Sequence, residues 1–242
     1  RHAFERYCTD VMACSKMAGD YLFGDQVFQE RGQVLHNAIR TEEYAFQTEV
    51  RERLRRELGA DKELVIGHVG RFNENKNHKF LVDVFEKVLE KEKDALLLLI
   101  GEGETMDDVK KQVSEKGMER QVRFLGIKKN VNEWLQAMDV FAFPSITKNE
   151  AFGLALAEAM YCRCPAVTFH IEGSGVNWVS LNGVTGIEVD NSDSKKYASA
   201  IDTLLKDDSL RKQYADAARK RVIEYFTIEK EQEAANEIYK QL

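Results

Sequence analysis

One alternation constrains this chain more than any other feature. Short apolar runs of strand length recur at residues 11–14, 64–69, 95–100, 122–124, 140–143, 166–169 and 186–189, with charged amphipathic stretches between them. Continuous apolar strands must be covered on both faces, and the intervening stretches, apolar at helical spacing, supply the cover. The pattern predicts an α/β fold: a Rossmann-like parallel sheet with helices on both faces. Helices are predicted at 48–58, 79–91, 106–116, 131–137 and 153–161, the first stopped by Gly59. From about Ser194 the chain reads as helical, with Ser209 as the N-cap of a segment ending near Tyr225. Both prolines, Pro144 and Pro165, abut strand ends, where a missing N–H is tolerated.

The order of the runs suggests an organisation. Residues 1–33 read as the last strand-helix unit of a preceding, truncated domain, and residues 34–41 as an interdomain connection. Residues 42–225 form the main domain, and residues 226–242 a terminal helix expected to pack back toward the first part. Arg1 stands where an initiator Met would, so the sequence reads as a piece of a longer product or an engineered form. A net charge of -6 and a pI near 5.6 argue against a nucleic-acid partner, which needs clustered Lys and Arg. The longest apolar run, 95–100, is far below the roughly 18 residues of a transmembrane helix. Cys8, Cys14, Cys162 and Cys164 lack zinc-ligand spacing and are expected to be plain reduced thiols of a cytoplasmic protein.

In open α/β sheets ligands sit beyond the carboxyl ends of the strands, which directs attention to four loops. After the second run, Gly70-Arg71-Phe72 and Lys76-Asn77-His78 bring two cations to a helix start, where a pyrophosphate would also meet helix N–H groups. After the fifth run, Pro144-Ser145 leads to Glu150 in a polar loop, then Phe152-Gly153-Leu154 at a helix start, with Glu158 among the apolar residues Leu156, Ala157, Ala159 and Met160. Gly153 lets the backbone approach an anion closely, and a carboxylate set among apolar neighbours needs a partner such as a ribose diol. Gly101-Glu102-Gly103 reads as a tight turn more than a phosphate loop, since the third glycine of a dinucleotide fingerprint is missing. At Gly126-Ile127 the backbone could bond a base edge, and an exposed basic turn explains the segment equally well. His170 reads as a polar strand-end residue and Trp178 as packing. No metal site and no cofactor are expected from these residues.

Taken together, Gly70-Arg71-Phe72 with Lys76-Asn77, Pro144-Ser145, and the Glu-x7-Glu pair Glu150 and Glu158 resemble the retaining glycosyltransferases of family four, which have the GT-B fold. The resemblance implies the nucleotide-sugar-binding C-terminal half of that fold. It implies that Arg71 and Lys76 hold the donor diphosphate, Glu150 meets the sugar hydroxyls, Phe152, Gly153 and Leu154 offer backbone, and Glu158 takes the ribose. Gly70, Gly126 and Ile127 complete the expected donor site, with Glu150, Lys76 and Arg71 as the catalytic set. The partners implied are a nucleoside-diphosphate sugar and an acceptor glycan or lipid-linked sugar, the latter bound by the other domain. Bacterial polysaccharide or glycolipid synthesis in the cytoplasm, with the inner membrane face as a candidate place, is the expected setting. A non-catalytic nucleotide-sugar-binding module and another GT-B chemistry, such as a sugar-nucleotide epimerase, are the alternatives. Arg163 stands where the family usually has Gly, so a left-handed turn there would carry a cost of about 1 kcal/mol.

Overall fold

The computed structural model describes residues 6–147, 150–190 and 193–241. It opens with a small unit: β1 (Val11–Ala13), α1 (Lys16–Phe23), α2 (Asp25–Arg31) and β2 (Gly32–Val34). Strands β1 and β2 pair in parallel, separately from the main sheet. A single strand-helix unit was expected here, but Gly24 at φ 98° breaks the helix in two and a second strand follows. Three-residue strands and a glycine break leave too little periodicity to read. The connecting segment then runs beside the C-terminal region: the Ile39 N–H donates to the Phe226 carbonyl (2.9 Å), and Ile39 bridges Thr227 in parallel.

The main unit follows as a 3-10 turn (Thr41–Tyr44), α3 (Thr48–Leu58), β3 (Val65–Val69), a 3-10 turn (Glu74–Lys76), α4 (His78–Leu89), β4 (Leu96–Ile100), α5 (Met106–Glu115), β5 (Val122–Gly126), α6 (Val131–Ala137) and β6 (Val140–Phe143). It continues with α7 (Leu154–Tyr161), β7 (Ala166–Phe169), α8 (Val176–Val179), β8 (Gly186–Val189), α9 (Ser194–Lys206), α10 (Asp208–Tyr225) and α11 (Ile228–Gln241). The six main strands are all parallel, in the order β5-β4-β3-β6-β7-β8. Alternate strand residues feed two cores, as the pleat requires. Val65, Leu98, Phe141 and Phe143 join Leu54, Leu135, Leu156 and Val222 on one face, while Ile66, Leu97, Val140 and Phe169 join Leu81, Val109 and Tyr197 on the other.

Two corrections concern element ends. The N-cap of α10 is Asp207, whose Oδ1 accepts from the Leu210 N–H (2.9 Å), and Ser209 lies inside the helix. Two carboxylates precede Ser209, and the geometry selects the first. Strand β5 runs past Phe124 to Gly126 because a bulge at Leu125 shifts its register against β4.

Buried polar groups tie the layers together. Asp139 accepts from Arg51 (2.5 Å) and Arg55 (3.0 Å) of α3 and from the Val65 N–H (2.8 Å), which fixes α3 to the amino ends of β3 and β6. The Tyr197 hydroxyl of α9 donates to the Val167 carbonyl (2.5 Å) and accepts from the Phe143 N–H (3.0 Å), filling the seam between β6 and β7.

The turn between α7 and β7 keeps its left-handed residue even without glycine: Arg163 has φ 63°. Its N–H bonds the Met160 carbonyl (3.1 Å) and the next N–H, of Cys164, bonds Ala159 (3.0 Å), so the helix terminates in the ordinary way with a strained residue. Its guanidinium pairs with Asp216 at 3.2 Å, both half-exposed, a contact worth little. Arg163→Gly should therefore stabilise the fold, by roughly 0.5 kcal/mol once the larger unfolded-state entropy of glycine is counted. Thermal unfolding should show a midpoint higher by about 1–2 °C; a lower midpoint would mean that the ion pair outweighs the strain.

Candidate functional site

The strand order reverses between β3 and β6, which leave the sheet toward opposite sides, and the crevice past their carboxyl ends is where an open parallel sheet receives ligands. Two loops meet there. The loop after β3 carries Gly70, Arg71 and the 3-10 turn ending in Lys76, held in shape by Asn73, whose Oδ1 accepts the Lys76 N–H (3.1 Å). The loop after β6 carries Ser145 and Glu150; Lys148 and Asn149, within it, lie outside the described residues.

The Lys76 ammonium hydrogen-bonds the Glu150 carboxylate, which also accepts from the Ser145 hydroxyl (3.2 Å). Lys76 further lies over the Phe143 ring, 5.0 Å from its centroid. These two charges, paired across 74 positions of sequence, line one cavity of about 370 Å3 with Val69, Gly70, Ala151, Phe152, Gly153 and Leu154. Gly153 heads α7 at φ 93°. The N–H groups of the first turn have no carbonyl partner earlier in the helix, so Leu154 and Ala155, both lining the cavity, present the positive end of α7 to it. The side chain of Phe152 faces away from solvent and meets Phe226 edge-on at 5.3 Å, which leaves its backbone as the part available to a ligand.

Arg71 does not join this cluster. Its side chain is 73% exposed and pairs with Glu104 at 3.3 Å, and it is not in the cavity lining, although Gly70 next to it is. An exposed pair of this kind is worth less than about 1 kcal/mol, so nothing locks the guanidinium in that orientation.

Glu158 lines a second cavity, of about 480 Å3, with Glu43, Tyr44, Val69, Lys129, Asn130, Val131, Asn132 and Glu133. Val69, the last residue of β3, lines both cavities, so the two adjoin at the switch point. Burial pushes the Glu158 carboxyl above its usual range, while a hydrogen bond from Tyr44 works against the rise. Gly126 and Ile127 are outside both linings; Ile127 is exposed, and the wall of the second cavity begins two residues later, at Lys129. Gly101 and Gly103 are packing glycines: a Cβ on either would lie 2.0 Å from the Gly70 carbonyl oxygen or 2.3 Å from that of Phe72. His170 pairs with Glu188 (3.0 Å), and Trp178 packs between Phe226 (5.0 Å) and the His36 ring (3.6 Å).

Two features of the site escaped the sequence reading. Tyr44 lies outside any strand-end motif and meets Glu158 only through the tertiary fold. His68 of β3 and His78 of α4 lie buried beneath the Lys76 loop, ring edge to face at 4.7 Å, with His78 stacked on Phe72 at 3.9 Å. The His68 Nδ1–H donates to the Ala142 carbonyl (2.8 Å), leaving Nε2, like both His78 nitrogens, without a hydrogen-bond partner. Burial, then the neighbouring Lys76 charge, hold His78 down to about 4, and His68 is pushed well below the usual imidazole range.

A doubly wound parallel sheet with adjoining cavities at its switch point, preceded by a separate two-stranded parallel sheet, is the C-terminal half of a GT-B fold. The chain belongs to the glycosyl transferases group 1 family, whose model matches residues 50–221. It is 33% identical to the N-acetyl-alpha-D-glucosaminyl L-malate synthase of Bacillus anthracis over 178 residues, 73% of this chain and 45% of that protein. It is 29% identical to CapM, a capsular polysaccharide biosynthesis glycosyltransferase of Staphylococcus aureus, over 227 residues, 90% of this chain and 58% of that one. The chain thus spans about half the length of the curated relatives it matches. Among solved structures, Anabaena HepE in complex with UDP and glucose matches with a TM-score of 0.90 at 23% identity, over 100% of this chain and 65% of that one. The C-terminal domain of LpcC, a glycosyl transferase group 1 family protein of Francisella tularensis, matches with a TM-score of 0.68 at 22% identity, over 78% of this chain and 99% of that one. None of the described helices is long and apolar enough to cross a membrane.

Proposed function

We propose that this chain is the donor-binding half of a retaining glycosyltransferase, which moves a sugar from a nucleoside diphosphate to an acceptor hydroxyl in bacterial polysaccharide or glycolipid synthesis. One observation carries the reading: Lys76, Glu150 and the start of α7 converge on a single cavity at the sheet's switch point, and that cavity shares Val69 of its wall with the one lined by Glu158. The relatives' names and the UDP complex of HepE agree with it. The diphosphate would sit against Lys76 and the α7 N–H groups, the sugar against Glu150, and the ribose against Glu158. Arg71, at the rim, would swing from Glu104 onto the diphosphate.

In the reaction the bond between the anomeric carbon and the diphosphate oxygen breaks and negative charge grows on that oxygen. A fixed ammonium and oriented helix amides stabilise this charge without reorganising, and the proposal uses no metal ion for it. Retention follows if the acceptor oxygen attacks from the face the diphosphate leaves, its proton passing to the departing phosphate oxygen. Since acceptor recognition falls to the rest of the enzyme, the 242-residue chain alone should bind donor nucleotide yet turn over poorly.

Titration calorimetry with UDP and with GDP tests the donor site and separates the two bases. Glu158→Ala should weaken the better ligand by about tenfold or more, the loss of hydrogen bonds to a charged acceptor. Equal affinity in wild type and variant would remove the ribose assignment. Retention is checked by the anomeric configuration of the product made by an enzyme containing this chain, and an inverted product overturns it.

A further inference from the structure

The Glu158 carboxylate is half-buried on α7, and Tyr44, which lines the same cavity, comes from the short 3-10 turn that follows the connecting segment. That turn is held on two sides. The Asn132 side chain of α6 donates to the Glu43 carbonyl (2.5 Å), and Gln136, one turn further, donates to the Ala45 carbonyl (3.4 Å) and accepts from the Gln47 N–H (2.7 Å). From α7, the Cys162 thiol, one turn beyond Glu158, approaches the Tyr44 carbonyl (3.6 Å). A tyrosine on a backbone clamped at both ends presents its hydroxyl in one place, as a group that orients another must.

We propose that Tyr44 is a positioning residue of the nucleoside cavity: its hydroxyl donates to Glu158 and turns the rest of the carboxylate toward the hydroxyls of a ribose. The inference rests on the donor-site reading above. A carboxylate has about four acceptor positions, so one bond to Tyr44 leaves the others for a diol. The same bond favours the charged carboxylate, which burial and the nearby Glu43 both disfavour. The other charged or titratable groups around Glu158 are Lys129 and Glu133 on the cavity wall and the Cys162 thiol on its own helix. Tyr44 is thereby the neutral donor that sets the carboxylate's direction.

A double-mutant cycle tests this, with UDP affinity measured by calorimetry on the full chain and thermal unfolding checking that each variant is folded. Glu158→Ala should weaken UDP by about tenfold or more, and Tyr44→Phe, which keeps the ring, by roughly three- to tenfold. Tyr44→Phe should cost nothing further in the Glu158→Ala background, because the hydroxyl acts only through the carboxylate. Tyr44→Phe on its own should also move the acid-side fall of UDP affinity to higher pH than in the wild type, since the bond that favours the charged carboxylate is gone. A packing role for Tyr44 would produce neither the coupling nor the pH dependence. If Glu158→Ala weakens UDP and Tyr44→Phe does not, the Tyr44 inference alone is overturned. If the loss from Tyr44→Phe persists undiminished in the Glu158→Ala background, it is overturned as well. If neither substitution matters, or the chain does not bind UDP, the donor-site reading falls and takes this inference with it.

Discussion

Replacing Lys76 with alanine should lower sugar transfer by an enzyme containing this chain by about 10²–10³-fold, the usual cost of removing one preorganised group that stabilises developing charge. The size of the effect follows from the environment. The Lys76 side chain is only 20% exposed, bonded to Glu150 and set over Phe143, so its charge acts on the cavity with little screening by water. An ammonium has three donors. Glu150 occupies one, which leaves others for phosphate oxygens without breaking the pair. The alanine variant would lose the cation and also leave the Glu150 carboxylate with Ser145 as its remaining partner of the two, so the cavity would repel a diphosphate where it formerly attracted one. Most of the loss should appear in kcat, since charge grows on the leaving oxygen as the bond breaks, with a smaller loss in UDP affinity. Steady-state kinetics decide the matter: a change of less than threefold in kcat/KM would place the leaving group elsewhere. Arg71→Ala, whose guanidinium starts outside the cavity, should cost less.

The second large effect concerns stability in acid. The folded-state pKa of His78 is held down to about 4, below the usual 6.5 of an imidazole in an unfolded chain. Between those values the unfolded chain binds the proton that the folded one refuses, so stability is fully present above about pH 6.5 and is lost as pH falls toward 4. The loss attributable to His78 should be about 2 kcal/mol at pH 5 and roughly 3 kcal/mol once both states are protonated. His68, more deeply buried and shifted in the same direction, adds to it. Glu158 opposes it in sign: a carboxyl whose folded pKa is raised takes up its proton early and favours the fold as pH falls. Urea unfolding at neutral pH and near pH 5 gives the slope, and His78→Phe, which can keep the ring stack on Phe72, should flatten it. An identical acid slope in wild type and variant would show that water or a bonded proton already serves the His78 ring. The physical reason for tolerating such a pair lies above it: neutral rings under Lys76 support the loop without adding charge, and Gly70 passes so close that a Cβ there would stand 2.9 Å from His68 Nε2.

Much of the proposed donor site was legible because its residues follow strands. Glu150 and Lys76 were both singled out from loops just past apolar runs, and the fold brings them into contact. Gly153 was named as the head of a helix and is its N-cap. Arg71 belonged to the same motif, yet its side chain leaves the cavity for Glu104, since a motif fixes where a Cα lies and a long exposed side chain is then free to choose its partner. Glu158 was recognised as a carboxylate in need of a partner. What could not be read was that Tyr44, from a segment 114 positions earlier, lines the same cavity.

The sequence by itself determined the α/β class, the six main strands, the helices that cover them and the loops that carry chemistry, because hydrophobic period and turn residues act over a few neighbours. Only the tertiary structure decided the strand order, and with it the switch point at β3 and β6, the clamp that delivers Tyr44, and the buried histidine pair. Those depend on which surfaces meet when two apolar faces are covered at once, a property of the packed whole that no local pattern encodes.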